Sequence, residues 1–493
     1  MKTRRHRVDP LGQRLPIKLD STSNGEFMPV PLSRANRHAN QLAQQAAEEN
    51  ARRLGVGRRD FLLSACGAAS TLLSFNAANA AAGRGGGFFD LRAEAAREPE
   101  LAATSVEGGE FIFDVQGHYV DPTEAWLKTA PAGAFGFAAK SKCARNDGKG
   151  PRSHLACLTS EEFVKDVFLD SDTDMMVLSF VPARRDASPL EIESADNVRR
   201  IVDRMEGNHR LMIHGRVNPN QPGDVEDMAR LKEQFHVCAW KTYTQWGPDG
   251  TGFFLTDEPG IRFVEEARRL GVKVICVHKG LPFGQKSYEH SQCTDIGPIA
   301  KRFPDVSFLI YHSGFVTGVE EKAYGENADG DGIDTLIHSL EQSGIQPGSN
   351  VYAELGSTWR FLMRDPTQAA HGLGKLLKHC GPDNVLWGTD SIWYGSPQDQ
   401  IQAFRTFQIA PEFRERHGYP EITPQLRAKI FGLNATRPYG ISADEVTRRT
   451  RLDAVARERV AYREQAEPHF CTRGPKTRRE FLNLLDWNGG VRA

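Results

Sequence analysis

Ile261-Arg262-Phe263-Val264-Glu265-Glu266-Ala267-Arg268-Arg269-Leu270-Gly271-Val272-Lys273-Val274-Ile275-Cys276-Val277-His278 holds the fold in miniature. Apolar residues at 261, 263, 264, 267 and 270 recur at helical spacing, so this half reads as an amphipathic helix. Arg268 and Arg269 sit in its last turn, and Gly271 follows where a helix commonly ends in left-handed backbone. The next residues are apolar and β-branched, as in a strand buried on both faces. That strand stops on one polar residue, His278.

The unit recurs along the chain. Strand-like runs lie at Phe111–Val115, Met175–Val181, Leu211–Val217, Val237–Tyr243, Val272–His278, Ser307–His312, Val351–Leu355 and Val385–Gly388. Helix-like stretches between them include Asn197–Glu206, Val225–Phe235, Ile261–Leu270, Asp334–Ser343 and Gly372–His379. Gly344 and Gly381 punctuate two more helix ends. Eight strand-then-helix units over roughly 300 residues predict an α/β fold of the (β/α)8 TIM-barrel type. An open doubly wound sheet would carry a glycine-rich phosphate turn after its first strand. The first strand here ends Asp114-Val115-Gln116-Gly117-His118, and the glycine-rich Gly83–Gly87 precedes any strand.

Composition agrees with a globular chain. The 493 residues are 39% hydrophobic and 25% charged, with a formal net charge of −1, which removes the basic signature of a nucleic-acid binder. No apolar run reaches the length of a spanning helix. None of the eight cysteines forms a C-x-x-C pair, so zinc ribbons and thioredoxin-like sites are not expected. Cys238, Cys276 and Cys380 read as buried thiols, while Cys143 and Cys157 would form a disulfide only in an oxidising compartment.

Residues 1–82 read as a leader. Gly57-Arg58-Arg59-Asp60-Phe61-Leu62-Leu63 resembles a twin-arginine export signal; an apolar Ala/Ser-rich stretch follows, then Ala78-Asn79-Ala80 as a small-x-small cleavage pattern. This implies the twin-arginine export machinery as a partner and a periplasmic or secreted location. Leu63-Ser64-Ala65-Cys66 looks like a lipoprotein box but follows the arginines too closely. Residues 83–109 read as a linker, 110–441 as the barrel and 442–493 as a charged helical extension. Thr477-Arg478-Arg479-Glu480-Phe481-Leu482 repeats the twin-arginine pattern with no apolar stretch after it, so it reads as a helix start. Asn327-Ala328-Asp329-Gly330-Asp331-Gly332 begins like a calcium loop but lacks the closing glutamate, since position twelve is His338.

Barrel enzymes place their chemistry where strands end on the C-terminal side. That rule selects Gln116, His118, Lys241, His278, His312, Glu354 and Asp390. A lone histidine after a strand is usually structural; three histidines and an aspartate at equivalent strand ends suit a divalent metal. His214 lies within a strand and reads as structural.

These motifs resemble the amidohydrolase superfamily, in its amidohydrolase-2 group that includes the aminocarboxymuconate-semialdehyde decarboxylase type. The resemblance rests on Phe113-Asp114-Val115-Gln116-Gly117-His118-Tyr119, His278-Lys279-Gly280, His312-Ser313-Gly314, Trp387-Gly388-Thr389-Asp390 and Ile430-Phe431-Gly432-Leu433-Asn434-Ala435-Thr436-Arg437, over about residues 111–441. It implies His118, His278 and Asp390 as ligands of a divalent metal, zinc first and manganese or iron as alternatives. His312 is implied as general acid/base, a role Asp390 can share. Gln116 stands where the family has its first histidine; it ligates through its amide oxygen, holds a metal-bound water, or marks a lost metal. Lys241 is assigned to a substrate carboxylate, with a bridging carbamate or a pairing with Glu354 as alternatives. Trp240 and Trp393 are expected to line a pocket for a small cyclic or aromatic substrate. The leading expectation is a metal-dependent hydrolase of a C–N or C–O bond. A nonoxidative decarboxylase or hydratase, and a silent ligand-binding barrel, stand beside it, and homo-oligomerisation is left open.

Overall fold

The computed structural model describes residues 14–20, 30–121, 125–129, 158–204, 209–282, 288–325, 330–450 and 454–464. Cys143, Cys157, the 477–482 motif and residues 327–329 of the calcium-like loop lie outside the described residues.

Ten strands are described. A short strand β1 (Gly87–Phe89) precedes the barrel strands β2 (Phe113–Gly117), β3 (Met175–Leu178), β4 (Leu211–Arg216), β5 (Ala239–Tyr243), β6 (Val274–His278), β7 (Ser307–Tyr311), β8 (Val351–Glu354) and β9 (Val385–Leu386), and β10 (Phe407–Ile409) follows. β2 to β9 pair in sequence order, all parallel, so the predicted (β/α)8 barrel is the fold. Its seam joins first strand to last: Val115 N donates to Trp387 O at 3.1 Å and Asp390 N donates to Gln116 O at 3.0 Å. The Asp114 carboxylate fastens this seam by accepting from Thr389 N (3.1 Å), Gln116 N (3.0 Å) and the Thr389 hydroxyl. Burial lifts Asp114 to about 7, against those hydrogen bonds.

Strand alternation sorts the side chains. Val115, Val177, Ala239, Cys276, Leu309, Tyr311 and Leu386 share the inner cluster, while Trp240, Ile275, Val277, Phe308 and Ile310 join the outer one beneath the helices. Tyr439 closes the floor, its ring 5.3 Å from Phe113 and its hydroxyl 3.3 Å from His214 Nε2 and 3.6 Å from Cys276 Sγ. His214 is a bonded floor residue. The helices predicted at Ile261–Leu270, Asp334–Ser343 and Gly372–His379 run Glu258–Leu270, Ile333–Ser343 and Pro366–His379. Gly271 and Gly344 cap the first two with φ of 77° and 72°. Cys276 and Cys380 are buried as expected; Cys238 is partly exposed.

The segment before the barrel packs against it. The helix Arg34–Leu54 buries Ala39, Ala43, Ala47 and Ala51, a four-residue repeat, in the main core. The helix Ala65–Ala81, the apolar part of the supposed leader, is buried on most sides through Ala69, Leu72, Phe75 and Ala78. Phe75 meets Phe89 at 5.1 Å, and β1 pairs antiparallel with β10. The supposed linker contributes β1 and the helix Pro99–Val106, with Ala102 and Val106 fully buried. A boundary at residue 82 therefore runs between elements that share one core. An apolar run short of about eighteen residues fits a core helix as well as a signal. Cys66 is buried too, so the lipoprotein-like tetrad is closed off.

Residues 14–20 reach the loop after β9. Lys18 N donates to Asp399 Oδ2 (3.2 Å), its ammonium donates to Tyr394 O (2.9 Å), and the Arg360 guanidinium bonds Lys18 O. At the other end, the helix Ala454–Arg463 lies against the barrel exterior, with Arg459 Nε donating to Phe168 O at 2.9 Å. Among the described residues no helix is long and apolar enough to cross a membrane.

Candidate active site

The selected residues meet at one end of the barrel. Gln116 lies in β2 with His118 just beyond, Lys241 in β5, His278 and Glu354 end β6 and β8, His312 follows β7, and Asp390 follows β9. The backbone is strained there. Of seven described non-glycine residues with positive φ, five follow barrel strands: Leu281 (37°), His312 (67°), Ser313 (53°), Ser357 (52°) and Asp390 (61°). Strain at strand ends persists only where surrounding structure over-determines it, and it clusters at functional sites.

Two hydrogen-bonded groups form the centre. In the first, Asp390 Oδ1 lies 3.0 Å from Gln116 Nε2 and 3.1 Å from His118 Nε2, while Oδ2 accepts from the Ser357 hydroxyl. Ser357 Oγ is 3.0 Å from the Tyr394 hydroxyl, and Trp393 stacks on the His118 ring at 5.3 Å. In the second, His312 Nε2 is 3.1 Å from His278 Nδ1, and His312 Nδ1 is 2.6 Å from Gly356 O. The carbonyl fixes the assignment: Nδ1–H of His312 donates to it, so Nε2 accepts from His278 Nδ1–H. His278 Nε2 faces Leu281 O at 3.4 Å, a long contact that holds this nitrogen at the edge of the site.

Burial dominates the electrostatics. It pushes His118 down, His278 well down and His312 to about 4. Burial also works against ionising Asp390, but the His118 hydrogen bond and charge, with His312 and Ser357, outweigh it and hold that carboxyl at about 2. Glu354 goes the other way, raised well above the carboxylate range by burial, although the amides of His312 (3.0 Å) and Gly356 (2.6 Å) both donate to it. The Lys241 ammonium lies 3.8 Å from the Tyr311 ring centre and 4.5 Å from that of Tyr243. Tyr243 in turn stacks on His278 at 4.7 Å.

Trp240 is a correction. Between inward Ala239 and Lys241 it points outward; its indole N–H donates to Val272 O at 2.9 Å and its ring packs where a Gly215 side chain would stand. It lies outside the site because strand side chains alternate. Trp393 reaches the site as the stacking partner of His118. Ser357 was missed, though it stands just after β8 like the other site residues; the Asp114–Thr389 clasp gave no sequence signal.

The donor set suits a divalent cation. The Ser179 main chain favours a charged His118 by accepting from it, and with Nε2 turned to Asp390 that contact falls to Nδ1. A neutral His118 then aims its lone pair at the Asp390 carboxylate, an arrangement that a proton or a metal ion satisfies. Gln116 Oε1 is buried without a hydrogen-bond partner among the described residues. The donors are paired through hydrogen bonds: among the described residues no three His, Cys, Asp or Glu groups form a ready metal cage.

A family model described as amidohydrolase matches residues 165–441, more than half of the chain. The chain belongs to the amidohydrolase family. The match spans β3 to β10 and includes His278, His312 and Asp390; Gln116 in β2 and His118 just beyond it lie before the match. Among solved structures, this family member is similar to 5-carboxyvanillate decarboxylase from Sphingomonas paucimobilis, with 12% identity, 68% of this chain and 100% of that chain covered and a TM-score of 0.42. It is also similar to 2,6-dihydroxybenzoate decarboxylase from Rhizobium (14% identity, 68% and 99% covered, TM-score 0.39). A third is dihydroxybenzoic acid decarboxylase from Polaromonas sp. JS666, solved with manganese and the inhibitor 2-nitroresorcinol (12% identity, 68% and 99% covered, TM-score 0.40). No curated protein matches the chain.

Proposed function

We propose that the chain is a metal-assisted, nonoxidative decarboxylase of a small carboxylic acid. The observation that carries this reading is the buried Lys241 ammonium on the faces of Tyr311 and Tyr243, inside the barrel below the strand-end histidines. A fixed cation there favours an anionic substrate group, which a lactone or amide lacks. His118, His278 and Asp390 would hold a divalent transition metal, with Gln116 Oε1 as a neutral fourth donor. When bound, the ion polarises a substrate oxygen.

The residues of the chain do the rest. Lys241 binds and orients the carboxylate. Loss of CO2 breaks the carbon–carboxylate bond and leaves an electron pair on carbon, which takes up one proton. The linked His278–His312 pair, 3.1 Å apart with the far side of His312 held by Gly356 O, is placed to pass that proton. Ser357 and Gln116 fix Asp390, and the Trp393 ring excludes water from one face of His118.

A second reading, hydrolysis of a C–N or C–O bond, is favoured by Asp390, a carboxylate held ionised beside His118 and suited to accept a proton from water. The test is product analysis. Protein purified with its metal content measured is incubated with carboxyl-labelled aromatic acids and with a set of lactones and amides. Labelled CO2, lost in Lys241→Met, is the expected result. Turnover of lactones or amides alone would replace this reading by hydrolysis. A protein with no bound metal and no turnover would favour a silent binding barrel.

A further inference from the structure

A cavity of about 290 Å3 lies between the segment before the barrel and the loops that follow β7 and β8. Its walls include Val30, Phe315, Gly318, Phe361 and Arg364. It is separate from the catalytic centre, none of whose residues lines it. It backs onto two of the same loops. Phe315 N donates to His312 O at 2.8 Å, and the helix Thr358–Leu362, which carries Phe361, begins directly after Ser357.

Charge is unbalanced along this wall. Arg364 is 6% exposed. Its Nη2 donates to Val30 O (3.2 Å) and Pro31 O (3.4 Å), its Nε is buried without a hydrogen-bond partner, and no carboxylate pairs with it among the described residues. The neighbouring acids are committed elsewhere. Asp365 holds Arg84 at 3.1 Å, Glu320 holds Lys322 at 3.5 Å, and Asp399 is shared by Lys18 (3.6 Å) and Arg360 (3.7 Å). Asp20 is the acid whose charge reaches Arg364, and it does so through space. Lys18, Arg360 and Arg364 thus stand against Asp399 and Asp20, which leaves one positive charge over. Burial, with the Arg360 charge, presses Arg364 down to about 10, a strain on the guanidinium that an anion relieves. Beside it the surface is apolar: the Phe315 and Phe361 rings stack with centres 6.0 Å apart.

We propose that this cavity is a second binding site, apart from the catalytic centre, for a monocarboxylate with a short apolar body. The carboxylate meets the planar fork of Arg364, and the body lies along Phe315 and Phe361. A buried cation next to an apolar wall selects this chemistry against a neutral or cationic ligand of the same shape.

Calorimetric titration of the full chain with hexanoate, 1-hexanol and hexylamine tests the site without turnover. Wild type is expected to bind hexanoate about tenfold more tightly than 1-hexanol, and hexylamine more weakly than either. Arg364→Met should remove the preference for the acid. Gly318 lines the cavity, and a Cβ there would meet nothing within 4 Å. Gly318→Leu should therefore take up cavity space, weaken hexanoate about tenfold and leave the melting temperature unchanged. It decides the matter alone if Arg364→Met fails to melt cooperatively. Lys241→Met should leave one equivalent of hexanoate bound. No hexanoate binding in wild type, or equal affinity for hexanoate and 1-hexanol, overturns the proposal. So does hexanoate binding that Lys241→Met abolishes and Gly318→Leu spares, which would put the acid at the catalytic centre.

Discussion

Asp390 is where most of the site's order converges: an amide, an imidazole and a hydroxyl all meet one carboxylate. Removing the hydroxyl in Ser357→Ala strips one charge-assisted bond from a buried anion. The expected cost is about 1.5–3 kcal/mol in urea unfolding, with the carboxyl shifting upward toward its ordinary range. His312 gives the clearest pH signature. Its imidazole titrates at about 4 in the fold and near 6.5 in an unfolded chain, so the unfolded chain binds the extra proton between those values. The stabilisation is complete above pH 6.5 and is lost as pH falls toward 4. His118 and His278 are lowered too and act in the same direction. In metal-free protein, His312→Asn should flatten the fall of unfolding free energy by on the order of 1.4 kcal/mol per pH unit in that window. An unchanged slope would place His312 in the charged state. These residues were legible in the sequence because each stands alone as a polar group after an apolar run. Ser357 has the same position but a common side chain, and nothing in its spelling separates it from a turn serine.

Strands carry the second lesson. All eight were readable from apolar runs bounded by helix caps, and their C-terminal ends marked the site. What the runs did not reveal was facing. Trp240 was grouped with Lys241 by proximity, yet adjacent strand residues point to opposite sides of the wall. The loops between strands also carry tight fits. At Gly388 a Cβ would overlap the Glu354 carboxylate, and both strand ends depend on that empty space. Gly388→Ala should cost about 1–3 kcal/mol by overpacking, and it should impair any activity more than stability, because Glu354 positions the His312 and Gly356 amides. Thermal melts and steady-state rates measured together would check this; a variant with full activity would remove Glu354 from the supporting structure.

At the scale of the whole molecule, the segment before the barrel allows two readings of one spelling. A pair of arginines, a modest apolar stretch and small residues spell an export signal and spell equally a helix buried among alanines. Only the tertiary partners separate the two: the helix Arg34–Leu54 and Phe89 for the apolar stretch, and Asp399, 381 positions away, for Lys18. Protein beginning at Gly83 keeps β1 but loses the helices packed on Phe89 and the segment 14–20 that reaches the loop after β9; it should be insoluble or unfolded, whereas the full chain melts cooperatively. Lys18→Met is the milder form. It leaves Asp399 buried beside Arg360 alone and should cost about 3–5 kcal/mol. A stable, cooperatively melting truncation would return residues 1–82 to the status of a removable leader.

The clasp between Asp114 and Thr389 has a consequence in time as well as in space. The partners at the centre, Gln116 and Asp390, are 274 positions apart. One belongs to the first barrel strand made during synthesis and the other follows the last. No growing chain short of about residue 392 owns both halves of the centre, and closing so long a loop comes late because its entropy must be met before the contact returns anything. Chemistry thus waits for the final stave of the barrel. Products that stop before that point are inert by construction, and the first turnover by any molecule certifies that synthesis has passed the last barrel strand and that the ring has closed.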